Sequence, residues 1–273
     1  MSVFADRVFA GKVAVITGGG TGLGREVALS FASLGANVVI AGRTQSNLDE
    51  VVAAVGEVGG RCLAAPTNIR EADEVEALRD ITYATYGQVD FLINNAGGQF
   101  PSLPTDVSDN GWRAVVDLNL NGTWNMTNRF MQPMAEAGFG SIVNVVHTFS
   151  FDRGAPMFVH SGAARAGVVS MVKTLAPYLM RHGVTINAFA PGAFATPGMI
   201  AGELETVGFS EESFAEELVS VGSSVRLGTV DEMAAMVLFL CCPAARYVSG
   251  STIIADGASM QSNWVNFFPE GEM

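Results

Sequence analysis

The stretch Thr17-Gly18-Gly19-Gly20-Thr21-Gly22-Leu23-Gly24 decides the fold of this 273-residue chain. The apolar run Lys12–Ile16 precedes it, and a helical pattern, Arg25–Leu34, follows it. A buried strand, a glycine-rich turn and a helix, in that order, form the unit that places the phosphates of a ligand at a helix N-terminus. The position of the glycines between strand and helix makes this pattern far more specific than the glycines alone.

Three glycines of the turn have predicted structural roles. Gly18 permits the tight turn, Gly22 lets the backbone approach a pyrophosphate, and Gly24 allows the helix to pack closely on the strand. The free N–H groups and the partial positive charge of the helix N-terminus favour the phosphates. The predicted phosphate site of a dinucleotide cofactor consists of Gly18, Thr21, Gly22, Leu23 and Gly24.

Short β-rich runs alternate with longer helical patterns along the rest of the chain. The predicted strands are Lys12–Ile16, Ala36–Ala41, Arg61–Ala64, Asp90–Ile93, Ser141–Val146, Thr185–Ala188 and Thr252–Ala255. They are mostly continuous apolar runs, as in parallel strands buried on both faces. The predicted helices are Arg25–Leu34, Ser46–Val55, Ala72–Tyr86, Trp112–Glu136 and Gly162–Met180. The repetition predicts an α/β fold, a single-domain Rossmann-type doubly wound parallel sheet of about seven strands with helices on both faces.

No Pro- or Ser-rich linker divides the chain, so we expect one domain over residues 1–258 and a C-terminal tail over residues 259–273. Residues 197–224 follow a strand end and carry glycines among helix formers. A helical insertion at that place would be a lid over a pocket, and the alternative is an ordinary surface excursion. The aromatic stretch Asn263–Phe268 could dock on a neighbouring subunit or cover the local core.

Composition and charge exclude several classes of partner. The net charge of −12 argues against nucleic acid and against anionic membrane surfaces. The longest apolar stretch, Met236–Cys242, is too short to span a bilayer. Cys62, Cys241 and Cys242 form no C-x-x-C and share no ligand spacing with the histidines, so we expect neither a metal site nor a disulfide framework. The N-terminus does not have the pattern of a signal peptide, and the expected location is the cytoplasm.

The end of the second predicted strand, Ala41-Gly42-Arg43-Thr44, indicates which cofactor is preferred. An enzyme that prefers NAD places an acidic residue here, on the ribose 2′-hydroxyl. This chain has no acid at that place. Arg43 can pair with a 2′-phosphate, Gly42 leaves room for it, and Thr44 lies beside it. We therefore expect NADPH (NADP+) rather than NADH, and the alternative is an Arg43 that faces solvent.

At these residues the chain resembles the short-chain dehydrogenase/reductase family over nearly its whole length. The motifs are Thr17–Gly24, Asn94-Asn95-Ala96-Gly97, Asn119 in Leu118–Gly122, and Pro191-Gly192 followed by Thr196. The resemblance implies that Asn68, with Ile69 beside it, meets the adenine. It implies that Asn95, Ala96 and Gly97 line the adenosine ribose, that Asn119 holds a water in a proton relay, and that Pro191, Gly192 and Thr196 meet the nicotinamide carboxamide. It also implies a homotetramer or homodimer.

The Tyr-x-x-x-Lys pair of the family is missing from this chain. Its two lysines are Lys12 and Lys173, and the residues four positions before them are Val8 and Val169. The string His160-Ser161-Gly162-Ala163-Ala164-Arg165-Ala166-Gly167 resembles the peroxisomal trans-2-enoyl-CoA reductase branch, which also lacks the pair, and the dienoyl-CoA reductases are a related branch. By register, Ser161 takes the place of the tyrosine and Arg165 that of the lysine. The family's catalytic serine falls at His147 or Thr148.

This replacement indicates which chemistry to expect. A serine hydroxyl is a much weaker acid than a phenol, and arginine keeps its charge at neutral pH. Reduction of a conjugated C=C bond develops charge on a carbonyl oxygen, so that site needs hydrogen-bond donors more than a tyrosine acid. The candidate donors are His147, Thr148, Ser161 and Asn121. Asn121 matches an asparagine that the dienoyl branch uses.

We therefore expect an NADPH-dependent reductase of an activated C=C bond in a small molecule of the enoyl type. One alternative is the reduction of a ketone or imine with His147 or water as proton donor, and another is a cofactor-binding protein with little catalysis. The segment 183–225 argues against a CoA thioester, since it contains no Lys or Arg and coenzyme A is polyanionic. The acidic residues of this segment are Glu203, Glu205, Glu211, Glu212, Glu216 and Glu217. The alternatives are that a neighbouring subunit or Arg153 supplies the positive charge, or that the pattern is an amphipathic helix with a solvated face.

Overall fold

Strands and helices alternate in the computed structural model, which describes residues 4–150, 154–194, 196, 198, 200, 204–220 and 226–259. The strands are β1 (Val13–Thr17), β2 (Asn37–Gly42), β3 (Arg61–Pro66), β4 (Phe91–Asn94), β5 (Gly140–Val145), β6 (Val184–Pro191) and β7 (Thr252–Ala255). The helices are α1 (Gly22–Ser33), α2 (Gln45–Glu57), α3 (Ala72–Tyr86), α4 (Asp109–Val116), α5 (Gly122–Glu136), α6 (Val159–Met180), α7 (Glu211–Ser220) and α8 (Val230–Cys241). A π-helical turn, Asp117–Asn121, joins α4 to α5.

All seven strands lie in one parallel sheet of order β3-β2-β1-β4-β5-β6-β7. The order reverses between β1 and β4, because the chain runs outward to β3 and then returns across β1. A crevice opens at such a reversal, beyond the carboxyl ends of the strands. The residues that follow β1, β2, β3 and β4 therefore meet at this edge of the sheet. The predicted doubly wound α/β fold with seven strands is confirmed.

The strands are continuous apolar runs because helices cover both faces of the sheet. Every residue of β1 and β6 is buried. One core packs α1, α2 and α8 on a face of the sheet, with Phe31 and Val237 fully buried. The other packs α3, α5 and α6 on the opposite face, with Phe130 and Leu179 fully buried. This two-sided burial explains why the strands do not alternate polar and apolar residues.

A row of buried asparagines crosses the middle of the sheet. Asn94 Nδ2 donates to Asn144 Oδ1 at 2.9 Å, and Asn144 Nδ2 donates to the Asn187 carbonyl at 3.3 Å. Asn187 Nδ2 in turn donates to the Val248 carbonyl at 2.7 Å. The row links β4, β5 and β6 to the chain that enters β7. Buried amides are costly unless they are hydrogen-bonded, so these contacts pin the relative positions of the strands.

The helix prediction over Trp112–Glu136 is wrong in one respect. The helical chain begins at Asp109, and the π-helical turn interrupts it, because the side chain of Asn119 turns inward to bond backbone groups outside its own helix. The prediction also omitted α8, whose residues are almost all apolar and show no amphipathic period. The remaining predicted helices and strands agree with the structure to within three residues at each end.

Within the predicted lid, residues 197–224, the described part contains α7 and a short 3-10 turn, Glu205–Val207. Leu204 is buried, and Phe209 packs on Phe214 with ring centroids 5.9 Å apart. Most of the predicted tail, including Asn263–Phe268, lies outside the described residues. In the part of the chain that is described, no helix is both long and apolar enough to cross a membrane.

Candidate active site

A cleft of about 370 Å³ lies at the reversal between β1 and β4. It combines the glycine turn, the ends of β2 and β3, and the loop after β4. The predicted cofactor residues that line it are Gly18, Thr21, Gly22, Leu23, Arg43, Thr44, Asn68, Ile69, Asn95, Ala96, Gly97 and Thr196. Residues that sequence reasoning missed also line it: Gly20, Ala41, Asn47, Leu48, Thr67, Leu118 and Phe194. Asn47 and Leu48 belong to the first turn of α2, directly after Arg43, so the strand-to-helix pattern could have indicated them.

The glycine turn is crowded, and its backbone needs residues without side chains. Gly18 and Gly22 have φ angles of +65° and +52°, which other L-residues rarely adopt. A Cβ on Gly24 would overlap the Gly18 carbonyl oxygen and lie 2.6 Å from Asn95 Nδ2. Gly24 is therefore a packing residue and not part of the cleft wall. The turn leaves the N-terminal N–H groups of α1 facing the cleft, and the N-cap Thr21 side chain makes no cap hydrogen bond.

Thr17 and Asn95 join the glycine turn to the loop after β4. Thr17 Oγ1 accepts hydrogen bonds from the N–H groups of Asn95 and Ala96 at 3.0 and 2.9 Å. Asn95 Nδ2 donates to the Thr17 carbonyl at 2.9 Å. These reciprocal bonds make the two loops one rigid wall of the cleft. The structure thus gives Asn95 a bracing contact with the phosphate turn.

At the opposite wall, Arg43 and Asn68 follow the ends of β2 and β3. Arg43 is exposed at the cleft, and it makes no ion pair or hydrogen bond with any described residue. Asn68 Oδ1 accepts from the N–H and Nε of Arg70 at 3.3 and 3.2 Å. The Asn68 oxygen is therefore occupied, and its Nδ2 group is the one left for a ligand. The glycine cradle fits the pyrophosphate of a dinucleotide, and Arg43 is a cation at the same cleft without an ion pair among the described residues.

Asn119 sits in the π-helical turn and is buried. Its Nδ2 group donates to the carbonyls of Gly98 and Val115 at 2.7 and 2.8 Å, and its Oδ1 accepts from the Gly98 N–H at 3.2 Å. Asn119 is thus a brace for the loop after β4. Asn121 points elsewhere, because its side chain is exposed and donates to Asp117 Oδ1 at 2.7 Å. The structure does not bring Asn121 together with the other predicted donors.

His147 and Arg165 meet beyond the carboxyl end of β5. The His147 ring is half-buried, and burial, followed by the nearby positive charge of Arg165, lowers its pKa to about 3. The ring is therefore neutral at physiological pH and carries one N–H donor. Arg165, on α6, is buried, and its Nη1 donates to the Val145 carbonyl. Thr148 follows His147 in a 3-10 turn, Thr148–Ser150, and is also buried.

Ser161 and His160 begin α6 and are both fully enclosed. The Ser161 hydroxyl has no hydrogen-bond partner among the described residues, and a water molecule cannot reach it. The His160 ring packs edge-on against Phe100, with ring centroids 4.5 Å apart, and burial lowers the pKa of His160. Both residues lie behind the surface that a substrate could touch. Of the predicted donors, His147 is the one that the structure leaves partly accessible and close to Arg165.

Two further predicted residues support the cleft without lining it. Pro191 ends β6, and the Gly192 N–H donates to the Ala255 carbonyl of β7 at 2.9 Å. A Cβ on Gly192 would lie 2.6 Å from Asp256 Cβ, so these residues hold β6 against the chain that follows β7. Thr196 does line the cleft, where a Cβ built on Gly22 would lie 3.5 Å from its methyl group. In the described part of the chain, no group of three His, Cys, Asp or Glu side chains could hold a metal ion.

Comparison with known proteins identifies the family. The short chain dehydrogenase family model matches residues 12–204. The chain is 33% identical to a probable 2,4-dienoyl-CoA reductase of Bacillus subtilis, over 94% of this chain and 98% of the relative. It is 34% identical to a 3-oxoacyl-[acyl-carrier-protein] reductase of Synechocystis, over 90% of this chain and 96% of that protein.

Among solved structures, a short chain dehydrogenase from Bacillus anthracis superposes with a TM-score of 0.83 and 35% identity, covering 95% of this chain and 99% of the other. Members of this family generally bind NAD(H) or NADP(H). The sequence match, the superposition and the glycine cradle agree, and the chain belongs to the short-chain dehydrogenase/reductase family of oxidoreductases.

Proposed function

We propose that the protein is an NADPH-dependent reductase of a conjugated C=C bond. The observation that carries the proposal is the pair of residues at the family's tyrosine and lysine positions. The Ser161 hydroxyl is buried and has no hydrogen-bond partner among the described residues, and Arg165 is a permanent cation that cannot pass a proton at neutral pH. A site without an accessible acid suits a reaction in which charge on an oxygen is stabilised by hydrogen bonds.

Arg43 supports the choice of cofactor. Its guanidinium has five donors, lies at the cleft and has no described partner, which suits a 2′-phosphate. The turn Gly18–Gly24 would hold the pyrophosphate on backbone N–H groups, and Asn68 Nδ2 would face the adenine. When bound, the reduced nicotinamide supplies a hydride to the substrate carbon.

His147 takes the part of the oxyanion donor in this proposal. Its neutral ring carries one N–H group and lies near the positive charge of Arg165, and both would favour a negative oxygen. A solvent water would then protonate the α-carbon. The names of relatives support this reaction class, since the Bacillus subtilis protein and a zebrafish peroxisomal protein, 34% identical over 94% of this chain, are described as 2,4-dienoyl-CoA reductases.

A second candidate is the reduction of a ketone or imine. The observation in its favour is the charge near the predicted lid, where the carboxylates of Glu205, Glu211, Glu212 and Glu216 are exposed. These charges favour an uncharged or cationic substrate over polyanionic coenzyme A. The Synechocystis relative is described as a 3-oxoacyl-[acyl-carrier-protein] reductase, which acts on a ketone.

NADPH oxidation, measured by absorbance with a panel of substrates, separates the two candidates. Turnover of short trans-2-enoyl thioesters and enones without turnover of ketones supports C=C reduction. Activity on ketones or cyclic imines alone supports the second candidate, and tight NADPH binding without any turnover means a binding protein with little catalysis.

The His147→Ala variant, which removes the side-chain donor, tests the oxyanion donor. Loss of one preorganised donor lowers kcat by roughly 10² to 10³-fold. The NADPH dissociation constant should stay within about twofold, because His147 does not line the cofactor cleft. An unchanged kcat would remove His147 from the mechanism. Asn121→Ala is the matched control, since that predicted donor is bonded to Asp117 on the exposed face.

A further inference from the structure

Arg165 occupies a space that exists because residue 97 has no side chain. A Cβ on Gly97 would overlap Arg165 Nη2, and would lie 2.6 Å from Asn119 Oδ1 and 3.2 Å from Arg165 Cζ. The φ angle of Gly97 is not in the left-handed region, so its backbone would accept alanine. The guanidinium and the Asn119 side-chain oxygen therefore both exclude a side chain here, and the guanidinium makes the closer contact. The neighbouring Gly98 differs, because a Cβ there would meet the flexible end of Leu118 at 3.3 Å.

The same guanidinium reaches the end of β5. Arg165 Nη1 donates to the Val145 carbonyl, two residues before His147. On the other side, Asn119 bonds both backbone groups of Gly98. The loop after β4, the end of β5 and helix α6 thus meet around one planar cation. Because this cation contacts three elements, it restricts the backbone at the end of β5, which carries His147.

We propose that Gly97 and Arg165 are a matched pair, in which the missing side chain at residue 97 makes room for the guanidinium, and the guanidinium, bonded to the Val145 carbonyl, positions His147 beyond the carboxyl end of β5. Arg165 is then a positioning residue. Its second effect is electrostatic, because it is the charged side chain among the described residues that acts on the His147 ring, and it opposes protonation of that ring. The catalytic part of this inference rests on the proposed function.

A double-mutant cycle tests the pairing: wild type, G97A, R165K and G97A/R165K, with G98A as the matched control. Lysine ends in one compact ammonium group and vacates the space beside residue 97. In the arginine background, we expect G97A to lower the melting temperature of the cofactor-free protein by about 5 °C, as overpacking does. In the lysine background, the loss should be less than half of that, and G98A should cost less than G97A. Equal losses in both backgrounds would overturn the pairing.

A pH profile of kcat/KM tests positioning apart from stability. G97A displaces the cation, so the acid limb of the profile should move to higher pH, while R165K retains the charge and should leave the limb nearly in place. If G97A does not fold, R165M, which removes the charge and keeps an unbranched apolar stem, replaces it in this comparison. A limb that stays in place in both G97A and R165M would overturn the positioning role.

NADPH titration followed by fluorescence separates this inference from the proposed function. If no variant, wild type included, binds or oxidises NADPH, the proposed function fails, whereas coupled melting temperatures still support the pairing. If NADPH is bound and oxidised normally but the melting temperatures are additive, the pairing fails and the proposed function stands.

Discussion

Two arginines of the site lie in opposite environments. Arg43 is an exposed cation at the cleft that no described residue neutralises. Arg165 is a buried cation whose guanidinium donates to a backbone carbonyl. The exposed guanidinium is accessible to an anion from solvent, whereas the buried one is held by the protein around it.

Arg43→Asp should reverse the cofactor preference. The change removes a partner for the 2′-phosphate and introduces an acceptor for a ribose 2′-hydroxyl. Loss of one charge-assisted contact corresponds to roughly 10 to 100-fold weaker NADPH binding. Dissociation constants for NADPH and NADH, measured by fluorescence titration, check it.

Arg61→Asp is the control for this prediction, because Arg61 is also exposed but begins β3, at the other end of the strand. If Arg43→Asp changed the affinity for NADPH and NADH by the same factor, the assignment of Arg43 would be wrong.

At the scale of an element, the π-helical turn shows how one side chain can interrupt a helix. Asn119 satisfies the carbonyl and the N–H of Gly98, which have no strand partner after β4 ends at Asn94. The turn that results aims Leu118 at the cleft and Asn119 at the loop. The helix break is therefore part of the wall that faces the cofactor.

Asn119→Leu keeps the size of the side chain and removes its hydrogen bonds. Two partly buried backbone groups of Gly98 would lose their partner, which costs on the order of 2 kcal/mol. For a chain of this length, that corresponds to a melting temperature lower by roughly 4 to 8 °C. Thermal unfolding followed by circular dichroism measures the change. Asn128→Leu, at an exposed site on α5, should shift the midpoint by less than 2 °C, on the order expected of surface sites; a shift equal to that of Asn119→Leu would refute this role.

The predictable elements are those whose cause is local. The strand β1, the glycine turn and α1 follow from periodicity and from glycine spacing, so the sequence locates them within three residues. The helix α8 also begins at a local sequence signal, a capping box. Thr229 and Glu232 form a capping box, in which the Thr229 hydroxyl accepts from the Glu232 N–H and the Glu232 carboxylate accepts from the Thr229 N–H.

The site residues that could not be predicted depend on contacts between distant parts of the chain. The bonds between Asn119 and Gly98 and between Arg165 and Val145 join different elements, and neither pair has a spacing that marks it. The enclosure of Ser161 results from the packing of α6 on the rest of the fold. Sequence register alone placed Ser161 among the donors, whereas its surroundings decide whether a substrate can touch it.

At the scale of the whole molecule, the carboxyl and amino ends of the strands differ in the contacts that they make. The carboxyl ends of the strands carry the cleft and its polar loops. The amino ends are closed by ion pairs and rings: Lys12 pairs with Asp90 at 2.9 Å, and Lys12 and Arg246 lie over the Phe139 ring at 4.1 and 4.4 Å from its centroid. Side-chain contacts thus hold the fold together at the amino ends of the strands, and the cleft opens at their carboxyl ends.

The folded protein should lose stability as the pH falls below about 6.5. His147 and His160 have lowered pKa values in the folded state, so the unfolded chain takes up protons before the native state does. Stability is fully present above the unfolded pKa of about 6.5 and declines towards the folded pKa of His147, about 3, by at most about 1.4 kcal/mol per pH unit for each histidine.

Urea unfolding at several pH values measures this slope. His147→Gln should make the slope shallower, because one of the two histidines with a lowered pKa is gone. His182→Gln is the control, since that ring lies at the end of α6, against Tyr178 and away from the site. A slope that is the same in wild type and His147→Gln would show that folding does not lower the pKa of His147.

The asparagine row across the sheet has a consequence for spectroscopy. The side-chain amide protons of Asn94 and Asn144 are hydrogen-bonded inside the sheet, with no path to solvent while the strands stay together. In deuterated water their NH₂ resonances should persist long after those of exposed asparagines have vanished. These signals would report the breathing of β4 and β5 from the centre of the molecule, where no fluorescent or titratable probe is present among the residues of the row.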